Sequence, residues 1–136
     1  MAAGEATAAG AATASGRPRG GLKRNVRLET KLARALAGEV RFDAGTRGRF
    51  STDASIYQIV PEGVVFPRSA DDIAAARSIA REEGVPVIMR GGGPSQNGQP
   101  IGAGLVVDCS RHFNEVVSYD AASREVLERQ VAEAAP

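Results

Sequence analysis

The segment from Val64 to Met89 constrains the fold of this chain more than any other. Val64-Val65-Phe66 is an apolar run that stops at Pro67, which has no N–H with which to extend a ladder. Ser69 follows as a helix cap, and Asp72 three residues on completes a capping box. Asp71 and Asp72 also lie where the positive end of a helix dipole favours carboxylates. Ile73, Ala76, Ile79 and Ala80 recur at helical spacing as far as Glu83, with Gly84 as the C′ stop and Pro86 just beyond. Val85 to Met89 is a second apolar run and reads as a short buried strand. Strand, helix and strand in this order predict a βαβ unit with parallel strands and a right-handed crossover.

The flanks are less sharply written. Met1 to Gly21 is almost entirely Ala, Gly, Thr and Ser, so it buries too little to offset its ordering entropy. Residues 1–25 are therefore expected to form a disordered tail. Arg17, Arg19, Lys23 and Arg24 would suit a transit peptide, but Glu5 and the lack of an amphipathic period argue against one. Leu28, Leu32, Ala35 and Leu36 predict a leading helix of about three turns, stopped at Gly38. Val40 to Thr52 reads as irregular, broken by Gly45 and Gly48, with Arg47 and Arg49 on a solvated loop. Leu105 to Cys109 is a further apolar strand. Glu115–Tyr119 and Arg124–Leu127 can pair as a hairpin across Asp120-Ala121-Ala122-Ser123. The composition of Val126 to Pro136 favours helix over strand. The fold class is α/β (α+β), with a mixed sheet built around the βαβ unit.

Several functions are excluded early. The net charge is +1, so composition offers no electrostatic case for nucleic acid or an anionic membrane. No apolar run reaches the roughly 18 residues of a membrane span. A single cysteine, Cys109, and a single histidine, His112, rule out an intramolecular disulfide, a Cys-based zinc site and a two-His metal centre. With no signal peptide either, a cytoplasmic location is expected. Cys109 reads as a small core hydrophobe and His112 as a surface or partly packed residue. Asp53 and Asp108 flank different loops, and no partner base stands beside either.

The chemistry lies in Arg90-Gly91-Gly92-Gly93-Pro94-Ser95-Gln96-Asn97-Gly98-Gln99. A strand that ends in successive glycines presents backbone N–H groups with no Cβ in front of them, and such a row can close around an anion. Known phosphate motifs do not fit. Gly93 and Gly98 have the Walker A separation, but Gln99 stands where the lysine belongs and Pro100 where the metal-binding hydroxyl belongs. Gly91 and Gly93 begin a Rossmann fingerprint, but Gln96 occupies its third glycine position. A plain hairpin turn is the simpler reading, yet it needs only two such residues. Here Arg90 stands at the entrance, and Ser95, Gln96, Asn97 and Gln99 add hydrogen-bonding side chains.

At this point the chain resembles a known family. Ser51-Thr52-Asp53-Ala54-Ser55, Pro61 to Pro67, Arg90 to Ser95, Gly98-Gln99 and Val107-Asp108-Cys109-Ser110-Arg111 follow the order and spacing of the FAD-binding domain of PCMH-type (vanillyl-alcohol-oxidase-like) flavoproteins. The nearest branch is the FAD-linked D-lactate and D-2-hydroxyglutarate dehydrogenases. The best match is residues 51–124, within an incomplete domain spanning 26–136. The resemblance implies non-covalent FAD as cofactor. Gly91, Gly92 and Gly93 would give N–H groups to its diphosphate, Ser95 a hydroxyl and N–H, and Gly98 with Gln99 would close the far side. Arg90 would lie adjacent, as a contact or as a brace. Asp108 and Ser110 would be contacts of second rank.

Three departures qualify this. The family has Thr, Ser or a flavin-linking His where Pro94 stands, so covalent attachment there is excluded. The segment after Val126 lacks the family's glycine turn. The second subdomain and substrate domain are missing, so the chain looks like a fragment that holds no catalytic residue and no metal site. The resemblance implies FAD binding as part of a flavin-dependent 2-hydroxyacid dehydrogenase, with a separately encoded remainder as a possible partner. The alternative is a non-catalytic remnant or interaction module that keeps the βαβ unit and binds no cofactor.

Overall fold

The computed structural model describes residues 23–123 and 125–128. Helix α1 spans Val26–Ala35, strand β1 Glu39–Arg41, helix α2 Ala44–Arg49 and strand β2 Gly63–Phe66. Helix α3 spans Ala70–Glu82, followed by β3 Val87–Arg90, β4 Leu105–Asp108, β5 Val116–Asp120 and β6 Glu125–Glu128. The first four strands form one mixed sheet in the order β1-β2-β4-β3, and β5 and β6 form a separate two-stranded sheet. β1 runs antiparallel to β2, while β2 and β3 both run parallel to β4.

The βαβ unit is present, but β4 lies between its two strands. Val64, Val65, Phe66, Leu105, Val106 and Val107 are all fully buried, as strands covered on both faces must be. Alternation divides them. Val65, Leu105 and Val107 pack with Leu28, Leu32, Ile73, Ala76 and Ala80 beneath α1 and α3. Val64, Phe66 and Val106 face the other way, against Phe50.

Ser69 caps α3 as expected, its hydroxyl accepting from the Asp72 amide at 3.2 Å. Asp72 does not return the bond. Its carboxylate accepts instead from the amides of Arg68 and Ala37, both at 2.8 Å, so it fastens the end of α1 to the start of α3. At the other end Gly84 adopts φ +67, and the Val85 amide donates to Ala80 at 2.8 Å, which is a Schellman stop.

Five expectations need correction. β3 is an edge strand and only half buried, with Met89 exposed, because among the described residues no strand pairs with its outer side. Residues 40–52 are not irregular: they hold β1 and α2, and Asp43 caps α2 by accepting from Thr46 at 2.8 Å. Arg47 is buried rather than solvated, its Nε donating to the Pro61 carbonyl at 2.8 Å. Gly38 is not a left-handed stop. It is required because a Cβ there would collide with the Phe66 carbonyl. Val126 to Glu128 is strand, paired with Val116–Asp120, rather than helix; the Arg129–Pro136 part of that expectation lies outside the described residues, as does the tail over 1–22.

Candidate functional site

The glycine loop begins at the carboxyl end of β3 and returns as the crossover to β4. These strands are parallel, so the loop cannot be a hairpin turn. The carboxyl ends of parallel strands are where α/β sheets bind ligands, since the loops there leave a crevice. Gly91 and Gly92 are exposed: a Cβ on Gly91 would meet nothing within 4 Å, and one on Gly92 only Pro94 Cδ at 3.8 Å. Among the described residues, the amides of Gly91, Gly92 and Gly93 donate no turn or loop hydrogen bond. Gly93 and Gly98 adopt φ +77 and +75, where other residues are strained.

Arg90 lies under the loop. Its Nη1 donates to the Thr52 carbonyl at 3.0 Å and the Pro100 carbonyl at 3.3 Å, and its guanidinium sits 5.1 Å from the centroid of Phe50. A Cβ on Gly93 would come within 2.5 Å of the guanidinium, so the loop backbone rests directly on it. Ser95 accepts from the Asn97 amide at 3.2 Å and thereby shapes the turn. Gly98 packs against the Tyr57 ring, 3.0 Å from where a Cβ would stand, and Gln99 is exposed.

Asp108 and Ser110 follow β4. Asp108 pairs in register with Arg90, while its carboxylate accepts from the Ser110 hydroxyl at 2.6 Å and amide at 3.0 Å. These two satisfy one another directly after β4. Asp53, set aside in the sequence reading, stands close to the site. It accepts from the Ser55 amide at 2.8 Å, and its Oδ2 is buried without a hydrogen-bond partner among the described residues. Hydrogen bonding from Ser55, its hydroxyl first and then its amide, outweighs the opposing effect of burial and holds the carboxyl below the usual carboxylate range.

Sequence reasoning missed the Ser51–Gln58 segment as part of the site. Ala54, Ser55, Ile56 and Tyr57 form one wall of an open cavity of about 550 Å³, and Gln96 and Asn97 form the other. Ile56 and Tyr57 are exposed, and the Ser51–Ser55 motif of the family resemblance was the sequence signal available. Among the described residues no group of three or more His, Cys, Asp or Glu could hold a metal, and no helix is long and apolar enough to cross a membrane.

The family described as FAD binding domain matches residues 61–131. D-2-hydroxyglutarate dehydrogenase of Pantoea ananatis is 38% identical over 102 residues, covering 73% of this chain and 10% of the relative. The chain thus spans about one tenth of the length of the curated relatives it matches first. Among solved structures, p-cresol methylhydroxylase with substrate bound superposes with TM-score 0.60 at 12% identity, over 70% of this chain and 20% of that one. Alkyldihydroxyacetonephosphate synthase superposes with TM-score 0.62 at 18% identity, over 74% and 23%. At such identities the two structures establish the fold alone, a PCMH-type arrangement of sheet and helices.

Proposed function

That this chain belongs to the FAD binding domain family, with FAD as its cofactor, is the premise from which we propose that the Arg90–Gln99 loop receives the FAD diphosphate. One observation carries the reading. Gly91 and Gly92 open onto unobstructed space at the end of a parallel strand, with their amides bonded to no turn or loop partner. An anion with two phosphate groups fits such a surface, because each oxygen can accept from an N–H that no side chain shields. The amides of Gly91, Gly92 and Gly93 hold one phosphate. Ser95 can still donate its hydroxyl proton, since its oxygen only accepts from Asn97. Gly98 and Gln99 close the far side, and Asp108 and Ser110 are contacts of second rank. Pro94 has no nucleophile, so no covalent bond to the cofactor forms at that position.

Bound FAD supplies a two-electron acceptor; these residues supply binding and orientation. The relatives' names extend the proposal to a flavin-dependent oxidoreductase acting on a 2-hydroxy acid, the hydroxy acid being held by residues other than those described.

The test is a titration of FAD with the purified chain. Flavin fluorescence should be quenched, and ADP, which shares the diphosphate, should compete while riboflavin should not. No quenching at about 100 µM FAD would favour the second reading, a module that keeps the fold without the cofactor. Pro94 is the observation on that side, since it removes one N–H from the loop.

A further inference from the structure

We propose that Arg90 is a positioning residue that binds the glycine loop and the Ser51–Gln58 loop into one preshaped body, through its planar geometry and not through an ion pair. The two loops are far apart in sequence, with Thr52 lying 38 residues before Arg90. One guanidinium joins them. Nη1 reaches the Thr52 carbonyl on one loop and the Pro100 carbonyl at the end of the other, at 3.0 and 3.3 Å. The guanidinium plane is backed by Phe50 and covered by the Gly93 backbone, leaving no room for a Cβ.

All these partners are neutral. Among the described residues no carboxylate lies within ion-pair distance of Arg90. Nη1 makes both carbonyl bonds, and the rest of the flat group fills the space between the Phe50 ring and the Gly93 backbone, which the compact ammonium of a lysine would leave open. The cavity lies between the loops that this joint connects, with Ala54 to Tyr57 on one loop and Gln96 and Asn97 on the other. A loop with three successive glycines has more backbone freedom to lose than any other when a ligand fixes it. Arg90 removes that freedom beforehand, which is preorganisation.

The experiment is residue-resolved amide hydrogen exchange on the full chain and on Arg90→Lys and Arg90→Gln. Four hydrogen-bonded amides report on the joint. Asn97 bonds to Ser95 on the glycine loop, while Ser55 bonds to Asp53, Tyr57 to Ser55 and Ile59 to Ser51 on the other. Both variants should speed exchange at all four by about tenfold or more, while the amides of α3 keep their wild-type rates. Lysine keeps the positive charge, so an Arg90→Lys protein that protects both loops like the wild type would overturn the proposal. Loosening of the glycine loop alone would overturn it too. So would loss of α3 protection in both variants, which would make Arg90 a residue of the core.

The effect on cofactor affinity rests on the FAD reading above. Both variants should weaken FAD binding alike, by about tenfold. A drop in Arg90→Gln alone would assign Arg90 to the phosphates and refute the positioning role. If the wild type fails to quench FAD while the exchange pattern holds, the FAD reading falls and the joint stands.

Discussion

Pro94 follows directly on the three glycines and is the residue at which the loop gives up a donor. Restoring one with Pro94→Thr adds an N–H and a hydroxyl beside a doubly charged group. Hydrogen bonds to charged groups contribute roughly 1.5–3 kcal/mol. FAD affinity should therefore rise about tenfold or more, measured by calorimetric titration; an unchanged dissociation constant would place the diphosphate elsewhere. Cys109 offers a second residue-scale prediction. Burial, with a smaller contribution from the Asp108 charge, pushes its thiol from an ordinary 9.0 up to about 11. Folding thus favours the neutral thiol over the thiolate. The stability this represents is fully present below about pH 9 and is lost as pH rises towards 11. Denaturant unfolding of wild type and Cys109→Ala should give a stability difference that is flat to pH 9 and narrows above it. A pH-independent difference would show that the thiol does not titrate differently on folding. Single residues were unevenly legible in the sequence. The glycine loop announced itself, because bare amides need only local composition. Arg90's partners did not, because its acceptors are main-chain carbonyls, one of them distant, and any sequence could supply those. Arg47 looked solvated for the same reason: its burial depends on the Pro61 carbonyl, which no charge pattern reveals.

Elements were legible where local signals agreed. α3 was bounded correctly by Ser69 and Gly84 because each end carries its own chemistry. α2 was missed because Ala-Gly-Thr-Arg-Gly-Arg has two glycines and no apolar face; the Asp43 cap and the docked Arg47 help to hold it. The insertion of β4 between β2 and β3 was equally hidden, since the pairing of strands distant in sequence is a non-local choice that no single segment announces. Asp72 shows how one element end can secure another. Its buried carboxylate uses both oxygens on main-chain N–H groups, one of them Ala37 just past α1. In Asp72→Asn one of those amides would face an NH₂ donor instead of an oxygen. Loss of a hydrogen bond to a buried charged group costs about 1.5–3 kcal/mol, so the urea midpoint should fall with an unchanged slope. A midpoint within error of the wild type would mean the link between α1 and α3 carries no stability.

Across the whole molecule, burial is sharply uneven, and the site lies on its border. β2 and β4 are enclosed by α1 and α3 on one face and by Phe50 on the other. Among the described residues the β5–β6 hairpin forms a two-stranded sheet of its own, and Val116 and Tyr119 on it are exposed. A two-stranded hairpin in water is marginal on its own, because it has little apolar surface to bury against its ordering entropy. The hairpin should therefore open without the rest of the fold. In native-state hydrogen exchange, the paired amides of Val116–Asp120 should exchange through local openings insensitive to low denaturant. Those of Val64–Phe66 and Leu105–Val107 should exchange only by global unfolding, with the full denaturant slope. Arg90 sits between these extremes. It belongs to the half-buried edge strand, yet its neighbour β4 is among the most enclosed elements, so the loop it supports is fixed at one end to the core. If the hairpin amides instead shared the slope of β4, the two sheets would unfold as one unit, and the hairpin would owe its order to contacts with the main sheet.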